Sequence, residues 1–403
     1  MNLIYNIAIS LYNRGIKLAS LFNDKAFLLN EGRKHTHNFC KDFKRDRSKL
    51  IWLHAASLGE FEQGRPIMEA LKAKKTNTKI LLTFFSPSGY EVSKNYSSAD
   101  YILYLPSDNP RKAKQFVSCF NPDIAIFVKY EFWYNFLNQL HKKNIPTYLI
   151  SANFQANQVF FKPWGGLYRK MLHFFDKLFV QNTESVRLLK NIGITNVEKV
   201  GDTRFDRVKQ ISQETKRLSK IENFLKDSPC VVCGSSWPPD EDILFPYINN
   251  SQSKYKWIIA PHQIDEGHIK SIISKCKRKV SRYSQAKPNG DVLIIDCIGI
   301  LSLIYRYGNI AYIGGGFGVG IHNTVEAAVY GIPVIFGPKY QRFKEAIDLI
   351  GIKGGFSIDN KESLHKLLDK FITDEDYLNT CGNNALKYVN SQLGSSDTIL
   401  KYL

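Results

Sequence analysis

The sequence predicts two doubly wound α/β domains facing each other across a central cleft, and three observations carry that expectation. Short β-rich runs alternate with helical patterns, which means parallel strands joined by right-handed crossovers. The alternation is broken once, by the polar, charged stretch 210–227, and then restarts. A chain of 403 residues with 44% hydrophobic content is too long for one ordinary core and suits two of near-equal size.

In the first half the strand-like runs are Leu50–Ala55, Ile80–Phe84, Tyr101–Tyr104, Ile124–Val128, Thr147–Ile150 and Lys177–Val180. Helical patterns such as Phe61–Ala73 and Phe132–Lys142 lie between them. Strands recur at Cys230–Cys233, Trp257–Ala260, Val292–Asp296, Ile310–Ile313 and Pro333–Phe336, and helical segments Lys361–Phe371 and Asp374–Leu393 end the chain. The expected organisation is a helical segment 1–35, an α/β domain 36–205 and a second α/β domain with terminal helices, 206–403.

The 55 Lys and Arg against 37 Asp and Glu leave a formal charge of +18, which calls for a polyanionic neighbour. Nucleic acid, anionic lipid and phosphorylated substrates all qualify. No RNA-binding signature, zinc finger or basic-region heptad is present, so charge alone does not select nucleic acid. The seven cysteines are odd in number and scattered, which argues against a disulfide framework and fits a reducing cytosol. Cys230 and Cys233 read C-x-x-C, but they sit in a short apolar run with no second pair or nearby histidine cluster, and are read as buried strand thiols.

The first 22 residues are apolar but interrupted by Asn6, Ser10, Asn13, Arg14 and Lys17, short of an uninterrupted membrane span. No small-residue cleavage site marks a signal peptide. On a helix, Leu3, Ile4, Ile7, Leu11 and Leu18 share one broad apolar side, and residues 1–50 hold ten basic against four acidic residues. Such a helix suits anchoring at an anionic membrane surface, or packing on the protein's own core.

Three constellations carry chemistry. Ile51-Trp-Leu-His-Ala-Ala-Ser57-Leu-Gly-Glu60 runs from a strand through a glycine turn into a helix. The carboxyl end of a strand in an open parallel sheet faces the ligand crevice, so Glu60 sits on its rim as a general base or as an electrostatic helix cap. Asp123 to Trp133 repeats the strand-turn pattern and places Glu131 on the same rim, as a second catalytic carboxylate or as an ion-pair partner of Lys129. Ile310 to Ala328 brings five glycines, among them Gly315 and Gly316, before His322-Asn-Thr-Val-Glu326, where a helix opens near Asn323. Glycines let backbone N–H groups approach an anion, although Asn323 and Glu326 alone also read as a helix cap. Neither the dinucleotide fingerprint nor the P-loop can be laid on this stretch. Gly234-Ser235-Ser-Trp and Ala260-Pro261-His262 follow two further strands and offer hydroxyl, backbone and imidazole groups.

The order of these motifs resembles the 3-deoxy-D-manno-octulosonic acid (Kdo) transferases of lipopolysaccharide assembly over nearly the whole chain. The matching pieces are Ser57-Leu-Gly-Glu60, Thr83 to Gly89, Glu131-Phe-Trp133, Gly234-Ser-Ser-Trp237, Pro261 and Gly-Gly followed by His322-Asn-Thr-Val-Glu326. The resemblance implies a GT-B fold and an inverting, metal-independent transfer that needs no cofactor. It implies CMP-Kdo as donor, a lipid A precursor of the lipid IVA type as acceptor, no nucleic-acid partner, and work at the cytoplasmic face of the inner membrane beside anionic lipids. It implies Glu60 as general base, Glu131 as transition-state stabiliser and Arg204 as the cation where the family usually has Lys. It assigns CMP to Pro261, His262, the Ile298-Gly299-Ile300 turn and Asn323, Thr324, Val325 and Glu326, with Ser57, Ser235, Gly315 and Gly316 beside the substrates. The chain departs from the family at His262, where Arg is common, at Gly299-Ile-Leu, where Gly-Glu-Leu is common, and at Trp133-Tyr, where Trp-Pro is usual. Alternative readings are a transferase or epimerase of the same fold acting on another nucleotide sugar, and a non-catalytic protein that binds anionic lipid.

Overall fold

The computed structural model describes residues 2–74 and 77–403. It divides into two compact units, Met1–Arg207 with Leu393–Leu403, and Val208–Gln392. Each is built on one parallel seven-stranded sheet.

In the first unit the strands are β1 (Lys49–Ala55), β2 (Thr78–Phe84), β3 (Tyr101–Tyr104), β4 (Ile124–Val128), β5 (Thr147–Ala152), β6 (Lys177–Val180) and β7 (Val197–Lys199), in spatial order β3-β2-β1-β4-β5-β6-β7. Successive side chains of a strand point to opposite faces. Leu50 and Trp52 therefore enter one core with Phe116, Phe127 and Phe136, while Ile51, Leu53 and Ala55 enter the other with Ile67, Ile80 and Phe84. Both faces are covered, which is why these strands read as continuous apolar runs rather than alternating ones. The helices that matter below are α1 (Asn2–Ala19), α2 (Asp24–Asp42), α3 (Leu58–Lys74), α4 (Pro87–Ser93), α5 (Pro110–Phe120) and α6 (Tyr134–Lys142).

The second unit carries β8 (Cys230–Ser236), β9 (Lys256–Pro261), β10 (Val280–Arg282), β11 (Val292–Ile294), β12 (Ile310–Ile313), β13 (Val334–Phe336) and β14 (Gly355–Ser357), in the order β10-β11-β9-β8-β12-β13-β14. Cys230 and Cys233 are buried thiols of β8, and desolvation pushes both up.

Two expectations need correcting. The last residues do not stay with the second domain: Ile399 and Leu403 are buried in the first domain's core, on the face that α3 covers. Asp206 fixes this return by accepting the N–H groups of Gly394 and Ser396 at 2.8 and 2.6 Å. The cysteines are also not all separate. Packing of α2 on α5 brings Cys40 and Cys119 together as a disulfide, with Cα atoms 5.9 Å apart.

The amphipathic start is helical, and it leaves Leu3, Ile4, Ile7, Leu11 and Leu18 exposed. Its other side is tied to the domain: Tyr5 donates to Asp108 at 2.6 Å and Asn13 to Ser107 at 2.6 Å. Among the described residues no helix is long and apolar enough to cross a membrane.

Candidate active site

The first sheet reverses its strand order between β1 and β4, the position where open α/β sheets place their ligands. Glu60 lies in the first turn of α3, directly after β1, and accepts a hydrogen bond from the Ser57 hydroxyl. Glu131 lies in the turn between β4 and α6, and Lys129 beside it adopts a left-handed φ of 61° that turns the chain sharply out of the strand. The two carboxylates thus leave neighbouring strands at the same end of the sheet.

Glu131 is held from beneath. Its Oε2 receives the Trp133 indole N–H at 2.7 Å and lies 2.9 Å from Nε2 of His54, a fully buried residue of β1. His54 is fixed in turn at Nδ1, 3.0 Å from the Thr83 carbonyl and 2.9 Å from its hydroxyl. Buried polar groups with complete partners of this kind are rigid, because losing any one partner leaves a desolvated group unpaired.

Arg204 opens the helix Thr203–Gln213 and gives its Nε–H and Nη2–H to Oδ2 of Asp202, both at 2.8 Å. Burial alone would push Asp202 up. The Arg204 charge and hydrogen bonds, with Lys129 nearby, outweigh it and hold the carboxyl below its usual range. Asp202 also accepts from Gln63 of α3 at 3.0 Å, so Arg204 is braced against the helix that carries Glu60.

The second sheet reverses between β8 and β12. Trp237 follows β8, His262 follows β9 and His322 follows the glycine turn after β12. Their rings form one cluster: Trp237 stacks on His262 at 4.3 Å, His262 lies 4.7 Å from His322, and the indole N–H of Trp237 reaches His322 Nε2 at 3.2 Å. Desolvation lowers both imidazoles, and His322, with His262 beside it, falls to about 4.

The glycines are accounted for by packing. A Cβ on Gly314 would lie 2.2 Å from the Ser235 carbonyl, and one on Gly316 would lie 2.5 Å from the Gly337 nitrogen. The amide of Gly315 goes to the buried Asp240 at 2.8 Å, and those of Gly318 and Gly320 go to the Gly315 carbonyl. These amides, expected from the sequence to face an anion, are satisfied within the protein. The helix expected near Asn323 is the single turn Val325–Ala328. Asn323 pairs with Glu326 at 2.9 Å, and the hydroxyl of the buried Thr324 has no hydrogen-bond partner.

The remaining expected residues fall as follows. Ser235, two residues before Trp237, has φ 54°, and Pro261 ends β9 in register with Ser236. Ile298 is 79% exposed in the loop after β11, Gly299 has φ 89°, and Ile300 precedes the short helix Leu301–Ile304. Among the described residues no three His, Cys, Asp or Glu side chains gather as metal ligands. Sequence reading assigned no role to His54, Trp133, Asp202 or Asp240. A lone histidine inside an apolar strand, three residues ahead of Ser57, was the available signal for the first.

Comparison with known proteins fits this arrangement. Residues 31–207 match the family described as 3-deoxy-D-manno-octulosonic-acid transferase (kdotransferase). A transferase of that name from Aquifex aeolicus is 30% identical over 346 residues, 83% of this chain and 89% of that protein. One from Rickettsia prowazekii is 27% identical over 371 residues, 88% of this chain and 79% of its own length. Among solved structures, a UDP-GlcNAc 2-epimerase from Neisseria meningitidis bound to UDP-GlcNAc aligns with a TM-score of 0.63 at 14% identity, covering 87% of this chain and 98% of that one. MurG from Acinetobacter baumannii aligns at 0.56 with 11% identity, covering 88% and 98%. At those identities the structures establish the fold, which is of the GT-B kind. On its relatives, this chain belongs to the Kdo transferase family, glycosyltransferases of lipopolysaccharide synthesis.

Proposed function

We propose that the protein moves Kdo from CMP-Kdo to a lipid A precursor of the lipid IVA type, with inversion, without a catalytic metal, at the cytoplasmic face of the inner membrane. Glu60 takes the proton of the acceptor hydroxyl. The hydroxyl oxygen bonds to the anomeric carbon as the bond to CMP breaks, and CMP leaves with the electron pair. Glu131 and Arg204 stabilise the charge that develops, and preorganised groups of this kind usually carry much of the rate.

The observation that supports this best is the pair of carboxylates on the two strands that flank the first sheet's reversal, with Glu131 locked by His54 and Trp133. Ser57 orients Glu60. On the donor side Ser235, Pro261, His262, Gly315, Gly316, Ile298, Gly299, Ile300 and Asn323 through Glu326 surround CMP in this reading. The partnerless Thr324 hydroxyl supports a ligand there, and Glu326 suits the ribose hydroxyls. The exposed apolar stripe of α1, with the basic charge around it, supports attachment to anionic lipid without a span.

The test is product mass. Purified protein, lipid A precursor and CMP-Kdo should yield the precursor heavier by one or more Kdo units. No gain, from folded protein that binds CMP, would overturn the donor and acceptor assignment.

A further inference from the structure

Glu241 is fully buried in the second unit, in the first turn of the helix Pro238–Asn250, and the chemistry described above does not use it. Capping does not require it either, because the preceding Asp240 accepts the Trp237 N–H at 2.9 Å and serves that helix end. The Glu241 carboxylate instead takes partners from the ends of two neighbouring strands. Ser236, the last residue of β8, donates its hydroxyl to Oε1 at 3.1 Å. His268, in the helix Glu266–Lys275 that follows β9, places Nε2 at 3.0 and 3.1 Å from the two oxygens. Lys275 lies 3.9 Å from Oε2 but pairs more closely with Asp242, at 2.8 Å.

The other ring nitrogen continues the chain. Nδ1 of His268 lies 2.9 Å from the Gln263 carbonyl, in the turn after β9, and Gln263 directly follows His262. The His262 backbone N–H returns to the Ser236 carbonyl at 2.9 Å. Gln263, His268, Glu241 and Ser236 thus close a ring of hydrogen bonds through the backbone of His262. Both strand ends need such a hold. Ser235 has a left-handed φ of 54°, which a residue with a side chain keeps only where its surroundings impose it. The pairing of β8 with β9 also shifts register between Gly234 and Ser236. A buried Glu–His pair adds little net stability, because desolvation offsets the attraction. Stability therefore gives no account of these two residues, whereas fixing two strand ends does.

We infer that His268, acting through Glu241 and Gln263, is a positioning residue for the donor nucleotide. It fixes the turn that presents Ser235 on one side and the turn that presents Pro261 and His262 on the other. The inference rests on the donor reading above, in which those residues surround CMP.

The experiment measures CMP affinity by calorimetry, the kinetic constants and the melting temperature for His268→Leu and His268→Gln in the full chain. His268→Leu breaks both links and leaves the buried carboxylate short of a partner, so it also loosens the fold. In His268→Gln the single amide nitrogen replaces only one of the two ring nitrogens. It keeps Glu241 partnered and releases the Gln263 carbonyl, so the melting temperature should stay near that of the unaltered protein. This variant should raise the Kd for CMP and the KM for CMP-Kdo about tenfold, as for one lost hydrogen bond. Its kcat and acceptor KM should change less than about twofold, because the lost interaction serves donor binding alone. His268→Leu should raise the donor constants further, and the His262 ring resonance, identified by its absence in His262→Gln, should move in both variants. CMP binding that both variants leave unchanged would overturn the inference and keep the donor reading. A fall in melting temperature with kcat and both KM values moving together in His268→Gln would also overturn it. A moved His262 resonance in a protein that binds no CMP would remove the donor reading and keep His268 as the residue that positions His262.

Discussion

At the scale of single residues, the account turns on how Glu131 is held. His54 touches Glu131 from within the sheet and is a positioning residue. His54→Phe should lower kcat about 10- to 100-fold with little change in acceptor KM, since the network acts in the transition state. His54→Gln, which keeps a donor, should recover part of that loss, whereas a purely structural role would move the melting temperature and both kinetic constants together. The His322 imidazole makes a pH prediction. Its folded value of about 4 lies below the ordinary 6.5, so above 6.5 neither state is penalised. Between 6.5 and 4 the unfolded chain binds the extra proton, so stability falls as pH falls through that window. Melting curves from pH 7 to 4.5 should show the decline, and His322→Gln should flatten it. The positions of Glu60 and Glu131 at the ends of β1 and β4 were legible in the sequence because each follows its strand in a short local motif. His54 was not, because its partners Thr83 and Glu131 lie 29 and 77 residues away. The glycine turn differs: its motif was visible, but not that the amides of Gly315, Gly318 and Gly320 are spent on Asp240 and on the turn itself.

At the scale of elements, the interior strands and the edge strand β3 were readable, and the other three edge strands were not. The strands absent from the sequence reading, β7, β10 and β14, have three residues each and all lie at sheet edges. The three-residue interior strands β11 and β13 are wholly buried and apolar, whereas these three mix buried with partly exposed residues and leave no apolar run to read. The return of the C-terminus was hidden because Ser395–Leu400 is one short helix whose place is set by contacts. Ile399 is fully buried there, and Ile399→Ala should cost about 2–4 kcal/mol in the denaturant unfolding of the first domain. Its activity at low temperature should persist. The α1 helix makes a separate prediction. Leu11→Ser with Leu18→Ser removes exposed apolar area without touching the core, so binding to anionic vesicles should weaken at least about fivefold, at unchanged melting temperature. Unchanged vesicle binding would detach α1 from the membrane role.

At the scale of the whole molecule, two α/β units divide the chemistry. The first holds both carboxylates and the exposed apolar helix. The second holds the ring cluster and the Asn323–Glu326 turn. A net charge of +18 is common to both the lipid and the nucleotide reading, so composition does not choose between them. The most direct test of the central claim is the rate of Kdo transfer by Glu60→Gln, measured beside CMP affinity and melting temperature. The account predicts turnover reduced by about 10³-fold, in the range for loss of a general base, with CMP affinity and melting temperature unchanged. Turnover near that of the unaltered protein would contradict it.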